Sequence, residues 1–169
     1  GSNGVWEATV RISASVAGRH PLVAIVRDAP EFQAARPFTV IPNISHTSSG
    51  AVDDAIQITG TGYAGNSPII INYDSSAMSC VALPRPGERR PVTTDQFGSF
   101  QGQCTVPERD FTVPDGRHEI EAVDRDRNTD PDLNQFFLIP SVTISPDRGP
   151  VGASVNTNVG TTLTPPDPG

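Results

Sequence analysis

The sequence predicts an all-β protein organised as an antiparallel two-sheet sandwich, and three observations lead to this prediction. Proline and glycine, 17 and 15 of the 169 residues, are spread along the whole chain and mark frequent turns. No window of about a dozen residues keeps a helical apolar period without one of them interrupting it. The central part of the chain instead shows about seven short alternating segments with turn signals roughly every 8–12 residues, which is typical of a sandwich.

The chain also repeats itself with an offset of about 98 residues, which indicates tandem domains. Gly-Arg-His occurs at 18–20 and again at 116–118, and the segment 38–42 recurs as 136–140. We therefore expect the C-terminal half of one repeat at 1–42 and a complete repeat at 43–140. The front strands of a further repeat, with a tail rich in proline and threonine, would occupy 141–169.

Each strand is predicted from alternation that occurs in both copies. At the amino end, Trp6, Ala8, Val10 and Ile12 are expected on one face of a strand, matching the positions 100–106. The next strand carries Leu22, matched by Ile120, and the last strand carries matching phenylalanines. The complete repeat adds strands around 56–58 and 69–73.

Charge and composition exclude several classes of function. The formal charge of −7 and a pI of about 4.8 argue against nucleic-acid binding, which requires a basic surface. No segment approaches the roughly twenty apolar residues of a membrane helix, so membrane insertion is not expected. All twelve basic residues are arginine.

Four motifs in order resemble bacterial immunoglobulin-like repeats of the IPT/TIG kind. They are the glycine-rich run 58–65, the segment 145–152, the segment 95–100 followed by Thr-Val-Pro at 105–107, and 116–118 followed by Ala-Val-Asp at 122–124. The resemblance implies an immunoglobulin-like sandwich in an extracellular or cell-surface protein, serving as a stalk, an adhesive array or an accessory module. It implies no catalytic residues and no cofactor, so an enzyme is not expected.

Cys80 and Cys104 are the only cysteines. Cys104 takes the inward position that Val10 holds in the preceding copy, so it could be a small buried hydrophobic residue. An even number of cysteines in an exported protein favours a disulfide between them. A zinc site is not expected, because no CxxC motif is present.

An acidic run raises the question of calcium. Its oxygen-bearing side chains stand at alternate positions, as in calcium loops; they are Asp124, Asp126, Asn128, Asp130 and Asp132. The run departs from an EF-hand loop, because Thr129 replaces the turn glycine and Gln135 replaces the bidentate glutamate. We therefore favour a solvated turn over a metal site.

Other polar motifs give weaker signals. His20 and His118 occupy the same repeat position and are expected to be structural. Asn43 begins an Asn-Ile-Ser glycosylation sequon. No nucleophile elbow or phosphate loop is present in the sequence. The alternative function, a carbohydrate-binding accessory module of a secreted glycoside hydrolase, would need exposed aromatic rings, for which Phe137, Tyr63 and Phe32 are the candidates.

The two partial repeats suggest self-assembly. The run 22–26 is apolar on both faces, whereas the matching run 120–124 alternates. Each partial repeat would expose a sheet edge and half a core, so we expect head-to-tail pairing of copies into an open fibre, or pairing with neighbouring repeats of a longer array. Surface glycans are a further possible partner. The residues assigned to assembly are Leu22, Val23, Ile25, Val142, Ile144, Val151 and Val155.

Overall fold

A computed structural model describes residues 7–83, 90–108, 117–132, 134–139, 142–145, 148, 154 and 156–159. Within these ranges the chain contains strands and turns and no helix, so the all-β prediction is confirmed. No helix in the described residues is long and apolar enough to cross a membrane. The strands form an N-terminal hairpin, a central two-sheet unit and a C-terminal hairpin.

In its described residues, the central unit contains nine short strands in two sheets. In chain order they are β3 (Asn43–His46), β4 (Ser49–Gly50), β5 (Ala55–Thr61), β6 (Ile69–Tyr73), β7 (Ser76–Ala77), β8 (Ser79–Ala82), β9 (Phe100–Thr105), β10 (Arg117–Asp124) and β11 (Gln135–Leu138). One sheet has the order β3-β5-β9-β8 and is antiparallel throughout. The other has the order β4-β11-β10-β6-β7 and is mixed, because β4 pairs with β11 in parallel.

Strict alternation builds one core from both sheets. Successive residues of β5 are exposed and buried in turn, as are those at the start of β10, so each strand turns one face inward. The resulting cluster consists of Ile44, Ile56, Ile58, Tyr63, Ile69, Ile71, Tyr73, Val92, Phe100, Cys104, Val106, Ile120, Ala122, Phe136 and Leu138. Burial of each large member stabilises the fold by roughly 1.5–3 kcal/mol, so this cluster is the main source of cohesion.

Two turns of the central unit depend on residues with positive φ. Asp74 and Ser75, at φ of 48° and 67°, form the two-residue connection between β6 and β7, as a primed hairpin turn requires. Gly98 has φ of 76°, and a Cβ there would overlap the backbone of Tyr63. The tight contact between these two segments therefore needs glycine.

The N-terminal hairpin consists of β1 (Gly18–Val26) and β2 (Ala29–Val40), paired antiparallel along their lengths. The prediction of a strand around residues 6–12 is wrong for the described residues, because residues 7–17 form no strand and Val10 is 64% exposed. The matching strand β9 lies between β5 and β8. Among the described residues, the segment 7–17 is paired with no strand. Trp6 lies outside the described residues.

The C-terminal hairpin pairs β12 (Val142–Ser145) with β13 (Asn156–Val159) in a separate two-stranded sheet. Val142 and Ile144, both assigned to assembly, are in β12. Val151 and Val155 lie outside the described residues.

Candidate functional site

The predicted disulfide is present and joins the two neighbouring strands β8 and β9. Cys80 and Cys104 are directly opposite each other in the sheet, with their Cα atoms 4.1 Å apart. Cys104 is also buried in the core, so the two interpretations of this residue are compatible. A disulfide is consistent with an extracellular location.

Asp124 ends β10 and ties a distant turn to the core. It is 5% exposed, and its Oδ2 accepts a hydrogen bond from the Ala64 amide at 2.7 Å. Its Oδ1 accepts the amides of Asp126 and Asn128 at 2.8 and 2.9 Å. The Asn128 side-chain amide donates to Oδ2 at 2.8 Å. The carboxylate thus satisfies donors from the glycine-rich turn and from its own loop.

Asp130 likewise holds the start of the central unit by accepting hydrogen bonds. Its Oδ2 accepts the Ile44 amide at 2.8 Å and the Asn43 side-chain amide at 3.3 Å. Its Oδ1 accepts the amide of Asp132. The amide nitrogen of the glycosylation sequon is therefore engaged with a carboxylate, although the Asn43 residue as a whole is exposed.

The ionisation states of Asp124 and Tyr63 follow from their surroundings. Burial by itself raises the pKa of Asp124, but the hydrogen bonds from Ala64, Asn128 and Asp126 outweigh it, so the pKa of Asp124 lies below its ordinary value. Burial also raises the pKa of the Tyr63 phenol, and the negative charges of nearby carboxylates raise it further. The structure therefore favours an ionised Asp124 beside a neutral Tyr63.

The five residues weighed as calcium ligands do not converge on one point. Asp124 and Asp130 turn inward and are occupied by amide donors, as described above. Asp126 is exposed, with its carboxylate 3.5 Å from Arg125 Nε, and Asp132 is also exposed. Within the described residues, no three or more histidine, cysteine or acidic side chains are grouped to hold a metal ion.

Each of the two repeat-matched histidines contacts a polar group. His118 is 3% exposed, its Nδ1 is 2.5 Å from Asp74 Oδ2, and its ring stacks on Tyr73 at 4.7 Å between centroids. Asp74 also accepts the amide of Glu119, so the turn after β6 is fastened to β10. His20 Nε2 contacts the Val16 carbonyl oxygen at 2.8 Å.

The aromatic residues considered for sugar binding are not on one surface. Tyr63 is fully buried and packs edge-on against Phe100, so its assignment as an exposed ring is wrong. Phe137 is 42% exposed on β11 beside Arg117, whereas Phe32 is 66% exposed on the N-terminal hairpin. An open groove of about 500 Å³ crosses β5 and β9, with mostly polar residues and no exposed aromatic ring in its lining.

The N-terminal hairpin has the same register as the last hairpin of the central unit. His20 pairs with Phe38 in β1–β2, just as His118 pairs with Phe136 in β10–β11. The burial of the matched residues is opposite, because Phe136 is fully buried but Phe38 is 38% exposed. The same three residue pairs are therefore covered in one place and uncovered in the other; beyond them the strands differ, because Ile120 pairs with Tyr73 of β6 whereas Leu22 pairs with Arg36 of β2.

We use the term open face for the side of the N-terminal hairpin that matches the covered side of β10–β11. By alternation it carries His20, Leu22, Ala24 and Val26 of β1, with Phe32, Ala34, Arg36, Phe38 and Val40 of β2. Leu22 is 40% exposed, whereas its counterpart Ile120 is 1% exposed. Val23 and Ile25, also assigned to assembly, are exposed on the opposite side. The hairpin is thus apolar on both sides.

A shallow apolar cavity of about 490 Å³ lies at the tip of this hairpin. Val26 and Phe32 contribute to its lining. At the offset of about 98 residues these two positions match Asp124 and Asp130, the carboxylates that tie down the front of the central unit. The hairpin therefore offers apolar surface where the central unit offers buried hydrogen-bond acceptors.

Comparison with known proteins finds no family model that matches this chain. A search of curated proteins likewise finds no match.

Sequence reasoning missed the structural roles of three polar residues. Asp74, Thr94 and Asp124 each bridge segments far apart in sequence; the Thr94 hydroxyl, for example, donates to the Ala64 carbonyl at 2.6 Å and accepts the Ser67 amide at 2.8 Å. A usable signal was the position of Asp124 at the end of a strand, on the same face as Ile120 and Ala122. A polar residue at such a position is expected to be satisfied by a partner.

Proposed function

We propose that this chain is a non-catalytic structural module of an extracellular or cell-surface array, built from immunoglobulin-like repeats. The central unit is the complete repeat, and the two hairpins are parts of its neighbours. Support comes from the two sheets with a shared core, from the disulfide, and from the motif resemblance. The carrying observation is that β1–β2 and β10–β11 have the same register at matched residues.

The shared register supports the repeat, because similar composition alone does not determine which residues pair across a hairpin. A slip of one residue would exchange the two sides of a strand, so two unrelated hairpins need not align their histidine and phenylalanine. The exposed Leu22 and Phe38 then have a simple explanation in an array. In such an array, strands of an adjoining unit would cover them.

The array proposal is tested by locating the chain on intact cells of the organism that makes it. Brief trypsin treatment should release peptides that end at exposed arginines such as Arg125, while a cytoplasmic marker stays inside the cells. Non-reducing mass analysis of the released material should show Cys80 and Cys104 blocked to alkylation. Release of these peptides only after lysis would contradict the extracellular part of the proposal.

The carbohydrate-binding alternative is tested separately. Affinity electrophoresis in gels containing soluble polysaccharides should leave the mobility of the chain unchanged if its role is structural. Retardation that disappears in a Phe137→Ala variant would replace the structural proposal by glycan binding. A Phe97→Ala variant is a suitable control, because Phe97 is another exposed aromatic residue of the central unit, at 51% exposure.

A further inference from the structure

We propose that the free edge of β1 is a self-complementary docking surface, through which two copies of this chain join across a two-fold axis at Ala24. The two β1 strands run antiparallel and unite both N-terminal hairpins into one four-stranded sheet. This inference goes beyond the proposed function, which requires no contact between two copies. It uses only residues of the hairpin, all of which the structure describes.

The free edge of β1 presents unpaired backbone groups. Among the described residues, β1 and β2 form a two-stranded sheet, so the second edge of β1 carries no strand. Pro21 is paired with Pro37, and because proline has no N–H, this pair is not a hydrogen-bonded one. Since the two kinds of pair alternate along an antiparallel ladder, the N–H and C=O groups of Val23 and Ile25 point away from β2. Such a row of groups is a template for another strand.

The other sheet edges in the described structure are short, interrupted or partly occupied. At β3 the Ile44 amide donates to Asp130 Oδ2 at 2.8 Å, and at β8 the Ala82 amide donates to the Arg90 carbonyl at 2.9 Å. The edge strands β4 and β7 have two residues each. On the outer edge of β2, Pro37 removes one donor. The edge of β1 is therefore the better one for strand addition.

The edge of β1 differs from the matched edge of β10, to which β6 is paired. On β10, the Glu119 amide donates to Asp74 Oδ1 at 2.9 Å, and the Glu121 carboxylate accepts a side-chain amide of β6 at 3.4 Å. At the offset of about 98 residues, Pro21 and Val23 stand at these two positions. Neither residue can form the corresponding hydrogen bond. The edge of β1 is thus suited to an apolar strand that makes no such polar contacts.

The strand β1 is itself such a partner. When Ala24 lies opposite Ala24 of the other copy, Val23 of each copy exchanges backbone hydrogen bonds with Ile25 of the other. On the other side of the sheet, Leu22 of each copy lies beside Val26 of the other. These four large residues are between 40% and 58% exposed in the single chain. Aliphatic pairs across neighbouring strands stabilise a sheet, so the contact shields apolar surface on both sides of β1.

Charge and proline favour this register over its neighbour. A register centred on Val23 would place Arg19 of each copy opposite Arg27 of the other, and like charges in that position destabilise a sheet. It would also put Pro21 in a hydrogen-bonding position, although proline has no N–H. With Ala24 at the axis, the paired run contains neither a charged residue nor a proline. Because the same edge is used by both copies, the contact is closed and the assembly stops at the dimer.

A single cysteine at the axis tests the register. The native disulfide joins Cys80 and Cys104, which lie opposite each other in an antiparallel pair. In the full chain, Ala24→Cys places two thiols in the same relation across the axis, so mild oxidation should give a dimer that a reductant separates. The matched control is Ala34→Cys, because Ala34 is paired with Ala24 on β2. It lies three strand spacings, roughly 14 Å, from its counterpart, so this variant should remain uncrosslinked.

A second pair of variants tests the use of the edge. In the full chain, Val23→Pro removes the outward N–H from β1, and Ala35→Pro makes the same change at the paired position on the outer edge of β2. Molar mass is followed by light scattering over a wide range of concentrations, with cooperative melting of the central unit as a check of folding. The wild-type chain and Ala35→Pro should rise from 17.9 kDa towards twice that mass and stop there, whereas Val23→Pro should stay monomeric.

Several results would overturn the inference. They are a wild-type chain that stays monomeric, growth beyond the dimer, equal crosslinking of the two cysteine variants, and equal behaviour of the two proline variants. Since the release of peptides from intact cells by trypsin does not depend on this contact, the structural-array proposal can stand or fall separately.

Discussion

Replacement of Asp124 by alanine tests the central structural argument, that this carboxylate holds the glycine-rich turn to the sheet. The side chain accepts hydrogen bonds from the amides of Ala64, Asp126 and Asn128 and from the Asn128 side chain. Asp124→Ala removes all four at once. The buried Ala64 amide then loses its acceptor.

The expected cost follows from these contacts. An unsatisfied buried donor costs about 1–3 kcal/mol, and hydrogen bonds to a charged acceptor contribute about 1.5–3 kcal/mol. In the variant, some of the amide groups of Asp126 and Asn128 can form hydrogen bonds with water instead, so the contributions do not simply add. We expect the free energy of unfolding to fall by about 3–5 kcal/mol. For a domain of this size, that lowers the melting temperature by at least about 12 °C.

Urea unfolding, followed by far-UV circular dichroism, measures the effect. The matched control is Asp126→Ala, two residues along in the same loop. The Asp126 side chain is 58% exposed and its carboxylate forms an exposed ion pair with Arg125, so its loss should cost less than about 1 kcal/mol. Equal losses for the two variants, or a loss below about 1 kcal/mol for Asp124→Ala, would refute the argument.

The pH dependence gives an independent check. Because the folded-state pKa of Asp124 is lowered, its ionised form stabilises the protein above the unfolded-state pKa, near 3.9. That contribution disappears as pH falls through the folded-state pKa. The wild-type chain should therefore lose more stability than Asp124→Ala on acidification below about pH 4. Parallel acid dependence in the two proteins would contradict the assigned role.

Three further outcomes are expected. Reduction of the Cys80–Cys104 disulfide, which closes a separation of 24 residues, should lower the free energy of unfolding by about 3 kcal/mol; an unchanged urea midpoint with and without reductant would count against this estimate. Excess chelator should leave the melting temperature unchanged, since the inward carboxylates already accept hydrogen bonds from amides. A drop of several degrees that added calcium reverses would instead support a metal site. Gly98→Ala should destabilise the central unit by more than about 2 kcal/mol, because the added Cβ overlaps the backbone of Tyr63. The control Gly18→Ala is also at positive φ but in open space, so it should cost only about 1 kcal/mol. Similar losses in both variants would show that φ strain, and not the close contact, dominates.

The sequence was sufficient for features that depend on neighbours along the chain or on a repeated pattern. Alternation in β5 and β10 predicted which residues face the core, because the side-chain period of a strand is a local property. The sequence also placed His20 and His118 at strand starts, and in the structure each lies near the start of a strand and pairs with a phenylalanine. An even pair of cysteines predicted the disulfide.

Only the tertiary structure decided the roles that depend on contacts between distant segments. Asp124 and Asp130 are ordinary turn residues in the sequence, and the amides they bind belong to residues 60 and 86 positions away. The segment 7–17 has the alternation of a strand but forms none, because a strand also needs partners for its backbone groups. Leu22 and Phe38 have the same pattern as their buried counterparts, and only the absence of covering strands in the described structure leaves them exposed. Apolar pattern marks which side of a strand can be buried, whereas burial itself requires a second surface, and that surface is non-local.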